Sequence, residues 1–163
     1  MSSLTIITRS AAETGNLGLR LGSILEPGIF ISLRGELGGG KTCFTRGIVT
    51  GCASGSADLV ASPSYAIMNE YPGPPPIYHF DFYRLACEGE IAELGFEEYF
   101  HGNGICIAEW PERLGSLLPR ERIDIAFEHA GDDRRRITFD ATGPRPESVL
   151  AGFRNLNIMK EIL

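Results

Sequence analysis

One short segment restricts the possible folds of this chain more than any other. Residues 35–42 read Gly-Glu-Leu-Gly-Gly-Gly-Lys-Thr and match the pattern Gly-x-x-x-x-Gly-Lys-[Ser/Thr]. The apolar residues 29–33 before it predict a buried strand, and residues 41–52 after it predict a helix. A strand, a glycine-rich turn and a helix in this order form a P-loop. The sequence therefore predicts an α/β protein that binds a nucleoside triphosphate.

Each residue type in this motif has a chemical reason. Glycines let successive backbone N–H groups turn toward phosphate oxygens, and the next helix presents its positive end to them. Lys41 is expected to reach the β- and γ-phosphates of ATP, and the Thr42 hydroxyl to bind Mg²⁺. The predicted nucleotide-binding residues are Glu36, Leu37, Gly38, Gly39, Gly40, Lys41 and Thr42.

A P-loop also needs an acidic residue at the end of a neighbouring strand, which holds the metal directly or through water. Two apolar runs end in such a residue: residues 78–80 before Asp81, and residues 105–108 before Glu109. A carboxylate about 4 Å from a phosphate charge is repelled by ~4 kcal/mol at an effective dielectric near 20, so it implies an intervening cation. Residues 105–108 predict a buried strand more clearly than residues 78–80, where the alternation is less regular. This difference favours Glu109 as the metal ligand. Asp81 is assigned to the attacking water or a metal-bound water, and with Lys41 it forms the predicted catalytic pair.

Hydrophobic periodicity and turn residues predict the other elements. Strands are expected at residues 4–7, 65–68, 77–80, 104–108, 123–128 and 136–140, and helices from a capping box at Ser10, over 88–100 and over 146–160. The strands at 65–68 and 77–80 are expected to form an antiparallel hairpin. Because no repeat or internal boundary is found, residues 1–163 are expected to form a single domain.

Composition and charge indicate the compartment of the protein, the state of its cysteines and its capacity to bind RNA. No apolar run reaches the ~20 residues that a membrane span needs, and the N-terminus lacks the features of a signal peptide, so the cytoplasm is the expected compartment. The four cysteines form no Cys-x-x-Cys pair and are expected to be free thiols. With 21 acidic and 15 basic side chains the net charge is −6, so the chain is not expected to hold RNA alone.

Three further segments follow the P-loop in order. They are residues 60–65 (Val-Ala-Ser-Pro-Ser-Tyr), 78–85 (Tyr-His-Phe-Asp-Phe-Tyr-Arg-Leu) and 107–112 (Ile-Ala-Glu-Trp-Pro-Glu). Together with the P-loop, these segments resemble the bacterial TsaE family, also called YjeE, over most of the chain. The resemblance implies a three-layer P-loop NTPase sandwich with a mostly parallel central sheet and antiparallel additions.

The resemblance also implies a function. It points to a Mg²⁺-dependent ATPase, weak alone, that is required for threonylcarbamoylation of adenosine 37 in tRNAs reading ANN codons. Its implied partners are TsaD and TsaB, with tRNA contacted only through that complex.

Roles are also predicted for several residues outside the phosphate-binding set. By resemblance, Ser62 and Ser64 belong to a switch-like segment, and Ser64 stands where the family usually has Thr. Cys43 replaces a second Thr and is left outside the site. Trp110, beside Glu109, is expected either in the core or at the edge of the site, facing a partner.

Two other functions remain open at this point. A small-molecule kinase of the shikimate or nucleoside kinase type shares the length and the P-loop. However, the chain lacks Asp-x-Asp after the P-loop helix, and its arginine run at residues 134–136 falls in a predicted strand pair rather than a lid. A nucleotide-gated binding module similar to a GTPase is the second alternative, although no Asn-Lys-x-Asp motif occurs.

Overall fold

A seven-stranded mixed sheet forms the centre of the computed structural model, which describes residues 1–36, 38–52 and 55–162. Its strands are β1 (Ser2–Thr8), β2 (Phe30–Gly35), β3 (Met68–Tyr71), β4 (Ile77–Asp81), β5 (Ile105–Glu109), β6 (Arg122–His129) and β7 (Arg135–Thr142). The strand order is β1-β7-β6-β2-β5-β4-β3. The central strands β6, β2, β5 and β4 run parallel, and the outer strands pair antiparallel. The predicted sheet is confirmed.

Helices cover both faces of this sheet. They are α1 (Ala11–Gly22), α2 (Lys41–Gly51), α3 (Glu88–Glu93), α4 (Glu97–Phe100) and α5 (Pro144–Ile162). Leu17 of α1, Phe44 of α2 and Phe153 of α5 belong to one buried cluster. Ile91 of α3 and Phe100 of α4 belong to a second cluster. The predicted three-layer α/β sandwich is therefore confirmed.

Strand β2 shows why the residues before the glycine turn are almost all apolar. Ile31 and Leu33 belong to the first cluster, whereas Phe30 belongs to the second. Successive side chains of a strand point to opposite faces, so a strand covered on both faces needs apolar residues at nearly every position. Because β2 lies between β6 and β5, the glycine turn leaves the sheet near its centre.

Glycines bring α1 and α2 into close contact beside the turn. A Cβ at Gly47 would collide with the carbonyl oxygen of Gly15, and a Cβ at Gly18 would collide with that of Phe44. The distance between packed helices depends on the side chains at the contact, and glycine allows the closest approach. This contact fixes α2, and with it the P-loop, against α1.

Two predicted elements are wrong in position or extent. The strand predicted at residues 65–68 is found at Met68–Tyr71, because Ile67 has a φ of 68°, a left-handed conformation that interrupts an extended chain. The helix predicted over residues 88–100 is divided into α3 and α4, and Gly95 between them has a φ of 74°. The β3–β4 hairpin is antiparallel, as predicted.

Other predictions outside the site are confirmed. The Ser10 hydroxyl accepts a hydrogen bond from the Glu13 N–H at 3.1 Å, as the capping box predicts. All four cysteines are free thiols, and burial raises the pKa of the Cys106 thiol to about 12. Among the described residues, no helix has the length and apolar character needed to cross a membrane.

Candidate functional site

The turn between β2 and α2 has a backbone suited to an anion. Gly38 and Gly40 have φ values of 79° and 100°, which residues with a side chain rarely adopt. The Gly39 N–H donates to the Glu36 carbonyl at 3.0 Å and closes the turn. Within the described residues, no side chain caps the start of α2 at Gly40, so the first N–H groups of this helix lack that acceptor. These donors, at the positive end of the helix, suit a phosphate group.

Lys41 is folded back against the turn. Its Nζ donates to the Gly35 carbonyl at 2.8 Å and lies 3.9 Å from Oε1 of Glu109. A phosphate in the turn would offer this ammonium an acceptor of opposite charge, whereas the Gly35 carbonyl is neutral. Leu37, which was also predicted to bind nucleotide, lies outside the described residues.

Thr42 and Cys43, the next two residues of α2, have different surroundings. Thr42 is half-buried and lines the cavity beside the turn. Cys43 also borders that cavity, but its thiol donates to the carbonyl of Ala11 at 3.1 Å. The thiol is therefore held by α1, while the Thr42 hydroxyl remains available to a ligand in the cavity.

The two predicted carboxylates end neighbouring strands. Asp81 of β4 and Glu109 of β5 are direct partners in the parallel register, and each is only 4% exposed. Leu33 of β2 is the partner of Glu109 on the other side, so the three strands end at the same edge of the sheet. Ligands of α/β proteins bind at the carboxyl ends of the strands. The structure thus brings both acids to the edge that carries the glycine turn.

Each carboxylate has its own hydrogen-bond partners. Oε2 of Glu109 lies 2.8 Å from Nε2 of His79, which is wholly buried. Oδ2 of Asp81 accepts from the Ser62 hydroxyl at 2.7 Å, and Oδ1 accepts from the Tyr83 N–H at 2.9 Å. Buried carboxylates need such donors because burial removes their hydration. Both side chains are therefore held in defined orientations.

One cavity of about 390 Å³ brings most of the predicted site residues together. Its lining consists of Gly38, Gly40, Lys41, Thr42, Cys43, Arg46, Ser62, Asp81, Glu109 and Trp110. Of the predicted residues that the structure describes, Glu36, Gly39 and Ser64 are not part of this lining. Glu36 and Gly39 build the turn itself, whereas Ser64 lies half-buried in the turn after Pro63. In this conformation the switch-like segment presents Ser62, not Ser64, to the cavity.

Two arginines at the site had no role in the sequence-based prediction. Arg46 lines the cavity four residues after Thr42, on the same helix face, and its Nη2 donates to the Val60 carbonyl at 3.3 Å. Arg135 of β7 donates to the Gly38 carbonyl at 3.4 Å. Helical spacing is a sequence signal for Arg46. The sequence around Arg135 gives no such signal, because the order of the strands in the sheet is what brings β7 close to the turn.

Trp110 borders both the core and the cavity. Its backbone is left-handed, with a φ of 57°, and its half-buried ring packs against the second hydrophobic cluster. The ring centroid lies 4.9 Å from that of Tyr83, and the Arg113 guanidinium lies 5.6 Å from it. Trp110 also lines the cavity. Trp110 therefore contacts both the core and the cavity, the two surroundings between which the sequence did not decide.

The residues at the cavity fit a magnesium ion that keeps most of its own ligands. Across residues 1–36, 38–52 and 55–157, no three His, Cys, Asp or Glu side chains form a group that could hold a metal. Mg²⁺ is usually bound through one or two carboxylates, with phosphate oxygens and water completing its octahedron. Thr42 and Glu109 both line the cavity, and Oε1 of Glu109 lies beyond hydrogen-bond distance of Lys41. This donor set suits Mg²⁺ bound together with a phosphate.

Comparison with known proteins gives consistent matches. A family model described as threonylcarbamoyl adenosine biosynthesis protein TsaE matches residues 8–137. A Bacillus subtilis (strain 168) protein named tRNA threonylcarbamoyladenosine biosynthesis protein TsaE is 42% identical over 150 residues, which cover 91% of this chain and 92% of that protein. A Treponema pallidum protein of the same name is 36% identical over 132 residues, covering 81% and 96%.

A solved structure agrees with these matches. The crystal structure of Bacillus subtilis YdiB superposes with a TM-score of 0.80 at 34% sequence identity. The alignment covers 96% of this chain and 97% of YdiB. The similarity therefore extends over the sheet, the helices and the glycine turn.

Proposed function

The chain belongs to the TsaE family, and from this premise we propose that it is a P-loop ATPase of tRNA threonylcarbamoyladenosine biosynthesis. Its substrate is ATP, its metal is Mg²⁺, and residues 1–163 act as one ATPase domain in the cytoplasm. The observation that carries the proposal is that Lys41, Asp81 and Glu109 line one cavity at the carboxyl ends of the parallel strands. These are the charges that binding and hydrolysis of a triphosphate require.

The glycine turn and Lys41 bind the phosphates in this proposal. Backbone N–H groups of the glycine turn, other than the Gly39 N–H that closes it, and those of the first turn of α2 donate to phosphate oxygens. Lys41 exchanges the Gly35 carbonyl for the β- and γ-phosphates. Thr42 and Glu109 would hold Mg²⁺, which would neutralise charge on these phosphates when bound.

Asp81 orients the attacking water, or a water bound to the metal. Its two oxygens already accept from Ser62 and from the Tyr83 N–H, which fixes the direction of the carboxylate. Each oxygen has two lone pairs, so Asp81 can accept a further hydrogen bond from water. Water then attacks the γ-phosphorus, and the bond to ADP breaks.

Residues 62–64 act as the switch. Because Ser62 donates to Asp81, a movement of this segment changes the orientation of the carboxylate. Ser64 reaches the γ-phosphate only after such a movement, since it lies outside the cavity lining in the described conformation. Binding of ATP or of a partner supplies the free energy for this change.

The partner is the TsaB–TsaD pair, and tRNA is reached only through that complex. A chain of net charge −6, with no basic run longer than residues 134–136, releases few counterions from an RNA backbone. Arg135 of that run is already engaged with the glycine turn. Trp110, which is half-buried and lines the cavity, is the residue that we expect to contact a partner. The chain resets the complex between rounds of modification of adenosine 37 in tRNAs reading ANN codons, and does not itself transfer the threonylcarbamoyl group.

Measurement of the products of ATP turnover tests this function. The purified chain is incubated with Mg²⁺-ATP alone, with shikimate or nucleosides, and with TsaB–TsaD and tRNA. We expect ADP and inorganic phosphate as products, no dependence on a small acceptor, and faster turnover with the partners. Transfer of the γ-phosphate to an acceptor would support the kinase alternative. ATP binding without any product under all conditions would support the nucleotide-gated binding module.

A further inference from the structure

His79 is the one wholly buried histidine among the described residues, and it lies next to the proposed metal ligand. It precedes Asp81 by two residues on β4, so both side chains point to the same face of the sheet. Its Nε2 lies 2.8 Å from Oε2 of Glu109, and its Nδ1 lies 3.4 Å from the Tyr71 hydroxyl. Both ring nitrogens therefore face a polar partner.

The chemistry of these partners determines the direction of each hydrogen bond. An ionised carboxylate can only accept, so Nε2 of His79 donates to Glu109. In the neutral imidazole Nδ1 is then the acceptor, and the Tyr71 hydroxyl is the group that can donate to it. Tyr71 is 3% exposed. Burial raises the pKa of its hydroxyl, while hydrogen bonds with Asn69 and the Ala61 backbone act in the opposite direction.

The contact with His79 gives the two carboxylate oxygens of Glu109 different surroundings. Oε2 is held by His79, whereas Oε1 lies on the side of Lys41 and is too far from it for a hydrogen bond. Rotation of the carboxylate would break the bond to His79 and leave a buried N–H without an acceptor, which is costly. Among the described residues Oε1 forms only the longer ion pair with Lys41, so it is the oxygen that can bind another ligand.

We propose that His79 is a positioning residue, which holds Glu109 so that only Oε1 is presented to the metal and thereby makes the site selective for Mg²⁺ over Ca²⁺. The proposal rests on the proposed function, because it assumes that Glu109 binds the metal. Mg²⁺ requires near-ideal octahedral geometry and accepts one oxygen from a carboxylate, whereas Ca²⁺ readily accepts two. Two-oxygen binding by Glu109 would draw the metal toward Oε2 and turn the carboxylate, which would weaken its bond to His79.

Two amide substitutions separate this role from general support of the core. The amide nitrogen of His79→Gln reaches about as far as Nε2 and can still donate to Glu109. His79→Asn is shorter by one methylene, so it keeps a polar group near Tyr71 but loses the donor to Glu109. Ile77→Ala, two residues earlier on β4, serves as a control that loses core packing without touching Glu109.

Calorimetric titration of Mg²⁺ and of Ca²⁺ into the protein–ADP complex provides the test, with ADP binding in EDTA and thermal unfolding measured in parallel. We expect His79→Asn to bind Mg²⁺ about tenfold more weakly, with a smaller change for Ca²⁺, because such supporting partners typically affect metal affinity by ~10- to 100-fold. His79→Gln should stay within about threefold of the wild type. ADP affinity in EDTA should not change in either variant.

Equal Mg²⁺ affinities for the Asn and Gln variants would overturn the proposal, and so would an Asn effect that Ile77→Ala reproduces. A parallel loss of Mg²⁺ and Ca²⁺ affinity would overturn the selectivity. If the wild-type protein itself showed no Mg²⁺ effect on ADP binding, the proposed metal site would fail first. That result is distinct from a failure of the role of His79.

Discussion

Asp81 and Glu109 are direct neighbours across the β4–β5 pair, yet their carboxylates are held by different groups. Asp81 accepts from Ser62 of the loop before β3, whereas Glu109 contacts the buried His79. Two carboxylates of the same charge are thus assigned to different tasks by their surroundings. One is connected to an exposed loop residue, and the other to the interior of the sheet.

This difference predicts separable effects of isosteric substitutions. Glu109→Gln should weaken Mg²⁺-dependent nucleotide binding about tenfold, and leave ADP binding in EDTA unchanged, because it removes the charge beside the metal. Asp81→Asn should leave nucleotide affinity within about twofold and lower turnover roughly 100-fold, because it removes the acceptor for water. Titration calorimetry and phosphate release measure the two effects. The reverse pattern would mean that the two roles are exchanged.

Lys41→Ala should greatly weaken ATP binding. The substitution removes the ammonium that lies against the turn, and charge-assisted hydrogen bonds contribute about 1.5–3 kcal/mol each, or roughly 10- to 100-fold in affinity. Arg154→Ala, on α5, is the control for loss of one positive charge away from the site. Equilibrium dialysis with ATP compares the variants. Unchanged affinity in Lys41→Ala, or an equal loss in Arg154→Ala, would argue against the phosphate site.

Trp110 should report on nucleotide binding. It is the single tryptophan and lines the cavity, so its fluorescence should change when Mg²⁺-ATP binds. Trp110→Ala should lower partner-stimulated turnover while reducing the free energy of unfolding by less than the ~3–5 kcal/mol typical of a fully buried tryptophan. Fluorescence titration and urea unfolding test both points. No change in fluorescence on binding, together with a large loss of stability in Trp110→Ala, would favour a core role.

The contact between α1 and α2 predicts a strong effect at a glycine that does not line the cavity. Gly47→Ala should lower the free energy of unfolding by ~1–3 kcal/mol, because its Cβ would collide with the Gly15 carbonyl. In Gly152→Ala the new Cβ meets only Ile24 at 3.7 Å, so this control on α5 should be neutral or up to ~1 kcal/mol more stable. Urea unfolding compares the two. Equal stabilities would contradict the close helix contact.

The sequence predicted the parts of the site that depend on local pattern. The strand, the turn and the α2 helix follow from residues 29–52, and Asp81 and Glu109 follow from the apolar runs before them. Arg135 could not be predicted, because its approach to Gly38 depends on strand order. The contact of His79 with Glu109 could not be predicted either, because the two residues lie thirty positions apart in the sequence. The strand error near Ile67 arose because its left-handed backbone has no signal in side-chain alternation.

The central claim is that this site hydrolyses ATP under the control of a partner. Its most direct test is the rate of phosphate release from Mg²⁺-ATP by the chain alone and with TsaB–TsaD, for the wild type and for Asp81→Asn. We predict slow turnover alone and at least about tenfold stimulation of the wild type, since groups supplied in trans to P-loop enzymes raise rates by roughly 10³ to 10⁵. Asp81→Asn should remain roughly 100-fold below the wild type with and without the partners. Fast turnover in isolation, or wild-type turnover by Asp81→Asn, would contradict the account.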